Sequence, residues 1–83
     1  MDQLELREKL NLLGVKEYQY SLNGNLAPDR IILFHNHYEW QVFYLDERGT
    51  RNNVKFFESE GAACLYIYQL FYESIKIARQ FGI

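Results

Sequence analysis

Leucine and charge alternate at the start of the chain. Within residues 2–13, Leu6, Leu10 and Leu13 fall at i, i+4 and i+7, the stripe of an amphipathic helix. Asp2 and Glu5 stand near its start, where the helix dipole favours negative charge, and Gly14 stands where a helix commonly stops. The period then changes. From Val15 to Leu22, Tyr18, Tyr20 and Leu22 alternate with Glu17, Gln19 and Ser21, which predicts a half-buried strand. Asn23-Gly24-Asn25 and Pro28-Asp29 carry turn and loop signals. Arg30–His35 predicts a second strand, Asn36-His37 a tight hairpin turn, and Tyr38–Leu45 the longest strand. In that strand Trp40, Val42 and Tyr44 share one face, and Gln41, Phe43 and Leu45 the other. Asp46-Glu47-Arg48-Gly49 is a polar turn with glycine to take positive φ. Thr50–Phe57 predicts a fourth strand, with Val54 and Phe56 on one face. Ser59 suits a helix cap, Glu60 suits the positive end, and a helix is expected over Glu60–Gln80, with Gly82 as its stop. Ala63, Ile67, Leu70, Ser74 and Ile77 form its core stripe.

Helix, four strands and helix, joined by hairpin-length loops, predict an α+β fold. The expected form is a four-stranded antiparallel meander with both helices on one face of the sheet, a two-layer sandwich. The 83 residues make one domain, 1–83. The single cysteine, Cys64, leaves no intrachain disulfide to hold it, so the core must suffice. Cys64 is read as a small buried hydrophobe of the last helix. The N-terminal MDQLELREKL is charged throughout and lacks the apolar stretch of a signal peptide, and the longest apolar run, Ala62–Tyr68, is too short for a bilayer. A cytoplasmic protein is expected.

Charge narrows the function classes. Nine Lys and Arg against eleven Asp and Glu give −2, which disfavours binding driven by phosphate neutralisation. Single-stranded RNA stacked on an aromatic sheet face is disfavoured on the same ground. His35 and His37, at i and i+2 on a strand, share a face as metal ligands do, but they need Glu39 or an outside ligand to complete a site. At a hairpin tip their rings diverge, and exposed turn histidines are expected instead. The carboxylates Asp46-Glu47 and Glu58/Glu60 read as turn and helix-start charges. No phosphate-binding glycine loop or nucleophile elbow is present. A non-enzyme without cofactor or metal is expected.

Aromatic residues change the picture most, at 17% of the chain. On the last helix Leu65, Tyr68 and Tyr72 fall at i, i+3 and i+7 beside the core stripe. Tyr66 and Phe71 widen the arc, and from Ala62 to Tyr72 only Gln69 is strongly polar. This arc reads either as burial on both flanks of the helix or as a self-association surface. A single-layer sheet also leaves one face with an aromatic set uncovered. Tyr38, Glu39 and Trp40, with the Asp46-Glu47-Arg48 turn, then border an aromatic surface with an acidic rim, suited to a basic protein partner.

Several pieces in order carry a family likeness: a leucine-rich helix ending in Leu13-Gly14, then Tyr20-Ser21-Leu22-Asn23-Gly24, Trp40-Gln41-Val42-Phe43-Tyr44, Glu47-Arg48-Gly49, and Phe57-Glu58-Ser59-Glu60-Gly61-Ala62-Ala63-Cys64 leading a helix. The chain resembles, over roughly residues 5–72, the small immunity proteins encoded beside polymorphic bacterial toxins, including those of contact-dependent growth inhibition. The resemblance implies a cytoplasmic binder of a cognate toxin's C-terminal domain, often a nuclease, which it blocks at or near the active site. Neither nucleic acid nor membrane is implied as partner, and monomer and homodimer both remain open. The mild charge, with carboxylates not in one long run, favours a mixed aromatic and acidic interface over mimicry of nucleic acid. The other expectation is a homodimeric adaptor or structural module built on Leu65, Tyr68 and Tyr72.

Overall fold

A computed structural model describes residues 1–80; the stop expected at Gly82 lies outside the described residues. The first helix, α1 (Gln3–Leu12), begins where the Asp2 carboxylate accepts the Glu5 N–H at 2.8 Å. It ends in a Schellman turn: the Val15 N–H reaches back to the Leu10 carbonyl and the Gly14 N–H to that of Asn11, both at 3.0 Å. Gly14 sits at φ 85°, which L side chains resist, and the turn carries Val15 and Leu10 into the same core.

The next segment departs from the expected strand. Glu17–Gln19 forms a 3₁₀ turn, and only Tyr20–Ser21 pairs as β1. β1 runs parallel to β2 (Arg30–His35), with Tyr20 opposite Ile31 and Ser21 opposite Ile32. β2 pairs antiparallel with β3 (Trp40–Leu45), and β3 with β4 (Arg51–Phe57), giving a mixed sheet in the order β1-β2-β3-β4. The fold is therefore α+β, but the sheet is not an antiparallel meander. The reason is local. β1 leaves the sheet beside the middle of β2, so the loop over residues 22–29 must run back to the start of β2. Because β1 spans two residues, this short loop suffices where a full-length parallel pair needs a longer crossover. The loop passes against Phe34, whose ring would lie 3.8 Å from a Cβ at Gly24.

A second correction concerns the β2–β3 connection, which is a four-residue turn over Asn36–Glu39 rather than Asn36-His37 alone. The Asn36 side chain accepts the N–H of both Tyr38 and Glu39 at 2.9 Å, so the strand starts at Trp40. β4 carries a bulge where Asn53 adopts φ 54°. That bulge and Lys55 interrupt an otherwise free sheet edge.

The last helix, α2 (Glu60–Gln80), is capped by the Ser59 hydroxyl, which accepts the Ala62 N–H at 3.1 Å. It packs on β2, β3 and β4, and α1 packs on it. Leu6 and Leu10 of α1, Ala63, Cys64 and Ile67 of α2, and Leu33 and Val42 of the sheet form one buried cluster. Ile32, Phe43 and Leu45, from the alternate strand positions, form a second cluster with Phe34 and Val54. The Arg51 guanidinium lies 4.6 Å from the centre of the Phe43 ring and 5.3 Å from that of Phe34. The core stripe of α2 is rotated from its expected position. Ala63 and Ile67 are buried, but Phe71 and Ile75 continue the packing while Leu70 and Ile77 stand 36% and 52% exposed. The presence of α1 on one flank draws the stripe toward itself. No described helix is long and apolar enough to cross a membrane.

Candidate protein-binding site

β3 has a hairpin at each end, and the six residues expected to form one surface are divided between them. Tyr38 and Glu39 lie on the Asn36–Glu39 turn, with Trp40 opening the strand beside them. Asp46, Glu47 and Arg48 lie on the turn that follows Leu45. A six-residue strand separates the two groups by roughly 17–20 Å.

At the Asn36 end the aromatic groups satisfy one another. His35 stacks flat on Trp40, ring centres 3.9 Å apart and planes within 2°, and His37 meets Tyr38 edge-on. Trp40 packs against the main core, whereas Tyr38 is 93% exposed. Among the described residues no group of three or more His, Cys, Asp or Glu side chains gathers as a metal site would need.

The opposite end is built differently. Asp29, at φ 58°, hands its N–H to the Leu45 carbonyl at 2.7 Å, and its carboxylate accepts the Tyr44 hydroxyl at 3.0 Å. Asp46 organises the adjacent turn. One carboxylate oxygen accepts the N–H groups of Arg48 and Thr50 at 2.9 Å, and the other accepts the Asn52 amide at 3.2 Å. The Thr50 N–H foremost, with the Asn52 amide and the Arg48 and Gly49 N–H groups, holds Asp46 below the ordinary aspartate range against a smaller opposing desolvation. The Tyr44 hydroxyl is pushed up, first by its bond to Asp29, then by burial, then by the charges of Asp29, Asp46 and Glu47.

Between Asp29 and α2 opens a concavity of about 540 Å³, lined by Tyr18, Gln19, Pro28, Asp29, Arg30, Ile31, Tyr44 and Phe71. Each element supplies a wall. The 3₁₀ turn throws Tyr18 outward, Phe71 descends from α2 in a T-shaped contact with Tyr20, and Ile31 and Tyr44 are paired neighbours on the sheet. Arg30 turns its guanidinium aside to the Tyr20 carbonyl at 3.5 Å. Tyr18, Asp29, Tyr44 and Phe71 were not among the sequence candidates. Tyr18 and Tyr44 showed only strand alternation, and Asp29 only a loop signal.

The helical candidates also separate. Leu65 and Tyr72 are 46% and 45% exposed, while Tyr68 is half-buried, stacked with Tyr72 at 6.0 Å, with the Lys9 ammonium 5.7 Å from its ring centre. Cys64 is buried, and burial pushes its thiol up to about 11. A scan of protein-family models and searches of curated proteins and of solved structures return no match to this chain.

Proposed function

We propose that this chain is an immunity protein, which binds the C-terminal nuclease domain of a cognate bacterial toxin in the cytoplasm and neutralises it by direct occlusion, without catalysing a reaction. The observation that carries the reading is the concavity at the Asp29 end, with aromatic and apolar walls and the carboxylates of Asp29, Asp46 and Glu47 around Tyr44. A nuclease surface is basic because it must hold phosphates. Such a surface is steered toward carboxylates and anchored by buried aromatic area. The reading takes both helices to cover one sheet face, as in a two-layer sandwich, so that the partner meets the sheet at its end. The ordered sequence resemblance to immunity proteins points the same way. Growth rescue tests it: the C-terminal domain encoded by the adjacent upstream gene is induced in a naive bacterium with and without this protein. Restored growth, with a one-to-one complex on co-purification, is expected; a domain that kills regardless refutes the reading.

A second reading is a homodimeric adaptor joined through α2, favoured by the half-exposed Leu65 and Tyr72. Analytical ultracentrifugation at micromolar concentration decides it, since a monomer there excludes a stable dimer.

A further inference from the structure

We propose that the concavity between Tyr18, Tyr44 and Phe71 receives an arginine side chain of a protein partner, its guanidinium held by the Asp29 carboxylate of the lining. The inference deepens the functional reading and rests on it only for the partner's identity.

Three observations lead to this occupant. The first is charge: the Asp29 carboxylate of the lining accepts the Tyr44 hydroxyl, Asp46 and Glu47 follow β3 on the turn at the same end, and among the described residues none of the three is in an ion pair. Two cations stand nearby. Arg30 lines the concavity with one guanidinium N–H donating to the Tyr20 carbonyl at 3.5 Å, and Arg48 is on the exposed hairpin tip. An apolar side chain entering here would desolvate these carboxylates with nothing to offset the cost, whereas a cation complements them.

The second observation is how the molecule treats its other aromatic surfaces. Arg51 lies over Phe43 and Phe34, and Lys9 over Tyr68. Among the described residues no cation lies over Tyr18, Tyr44 or Phe71, although Tyr18 is 67% exposed. Tyr18 in particular keeps ring surface that no internal cation covers.

The third is shape. Ile31, Pro28 and Phe71 give the lining apolar surface, which suits the methylene stem of a long side chain, and Asp29 supplies the one carboxylate of the lining for its head. Arginine fits better than lysine, because a planar guanidinium both stacks on a ring and bonds a carboxylate in fork geometry.

The test titrates the isotope-labelled protein with acetyl-Gly-Arg-Gly-amide and, separately, with the same peptide carrying citrulline, the neutral isostere of arginine, while amide and ring signals are followed by NMR. Saturable shifts confined to Tyr18, Asp29, Ile31, Tyr44 and Phe71 are expected with arginine, and at least about tenfold weaker binding with citrulline. The double variant Asp29→Asn, Glu47→Gln is expected to weaken arginine binding about tenfold. Asparagine tolerates the left-handed backbone of residue 29 and still accepts the Tyr44 hydroxyl, so an unchanged spectrum elsewhere verifies the fold. Equal binding of the two peptides, shifts elsewhere on the surface, or no saturation at tens of millimolar would each overturn the proposal. So would signals here that move with protein concentration alone, which would place a second copy in the concavity. Peptide binding without growth rescue keeps this inference and removes the toxin as partner; rescue without peptide binding does the reverse.

Discussion

At the Asn36 end of the sheet, His35 lies flat on Trp40, Trp40 packs into the core, and His37 turns to Tyr38. At the Asp29 end, Tyr18, Tyr44 and Phe71 stand around an open concavity, and Asp29 and Asp46 arrange the backbone about it. Both ends are hairpin termini rich in aromatic and polar residues. At the first, the rings occupy one another and serve stability. At the second, Phe71 meets Tyr20 and the core, but Tyr18 and Tyr44 stand beside a hydrogen-bonded rim with ring surface still exposed. Aromatic content alone therefore does not locate a binding surface; what matters is whether the rings already have partners.

The largest effect is expected where that self-sufficiency is removed. Trp40→Ala takes away the ring on which His35 stacks and part of the core wall, and is expected to cost about 2–3 kcal/mol, below the value for a fully buried tryptophan because Trp40 is half-buried. Urea unfolding measures it. Partner affinity, measured under conditions where the variant is folded, is expected to stay within about threefold. A stable variant with strongly weakened binding would reverse the roles assigned to the two ends.

Asp29→Asn with Glu47→Gln should do the opposite. Stability is expected to change by no more than about 0.5 kcal/mol, since both groups are at the surface. Affinity for the cognate toxin domain should fall about tenfold, mostly through slower association, and its salt dependence should flatten. Stopped-flow kinetics at two ionic strengths reads both quantities. An unchanged association rate would remove the rim from recognition.

This contrast shows which features were legible in the sequence. Asp46 to Gly49 was read correctly because a turn is a local event: Asp46 accepts N–H groups within four residues and Gly49 takes φ 84°. Gly14, Ser59 and the extent of α2 were legible for the same reason. The segment Tyr18-Gln19-Tyr20-Ser21-Leu22 was not. Its alternation matches a strand, yet Tyr18 swings out in the 3₁₀ turn while Tyr20, Ser21 and Leu22 are all buried. Alternation here matches neither burial, since Ser21 is buried and Tyr18 exposed, nor pairing direction, which is decided by where the following loop returns. The α2 stripe shifted because α1, whose position no local pattern encodes, covers one flank. The candidate site was half legible. Asp46 and Glu47 are legible as an acidic turn, whereas Asp29, Tyr18 and Phe71 come together only through tertiary placement.

A smaller effect is expected from acid. Asp46 titrates below its ordinary value because the folded turn donates to its charged form. Its contribution to stability is therefore complete above the unfolded-state value, near 3.9, and is lost as pH falls through the lower native value. Melting temperature followed from pH 7 to pH 2 should show this loss. In Asp46→Asn, whose amide oxygen still accepts the Arg48 and Thr50 N–H groups but whose NH2 no longer accepts from the Asn52 amide, that part of the acid dependence should vanish, with a lower but pH-independent stability. Identical acid profiles would show that the turn does not depend on the carboxylate charge.

The smallest effect is expected at Tyr38, which the sequence offers as an interface residue and the structure leaves 93% exposed. Its backbone N–H is held by the Asn36 side chain, so the turn does not need its ring. Its one aromatic neighbour is His37, edge-on at 6.3 Å on the same turn. Tyr38→Ala should change stability by less than about 0.5 kcal/mol. If the partner sits only at the Asp29 end, roughly 17–20 Å away along β3, affinity should change less than twofold. Calorimetric titration of the toxin domain against this variant therefore bounds the interface. A loss of tenfold or more would mean that the partner spans the full length of β3 and reaches both hairpins, with Tyr38 a separate anchor. The Asn36 end would then combine an internally satisfied His35–Trp40 base with one ring directed outward, and the division of labour between the ends would not extend to Tyr38.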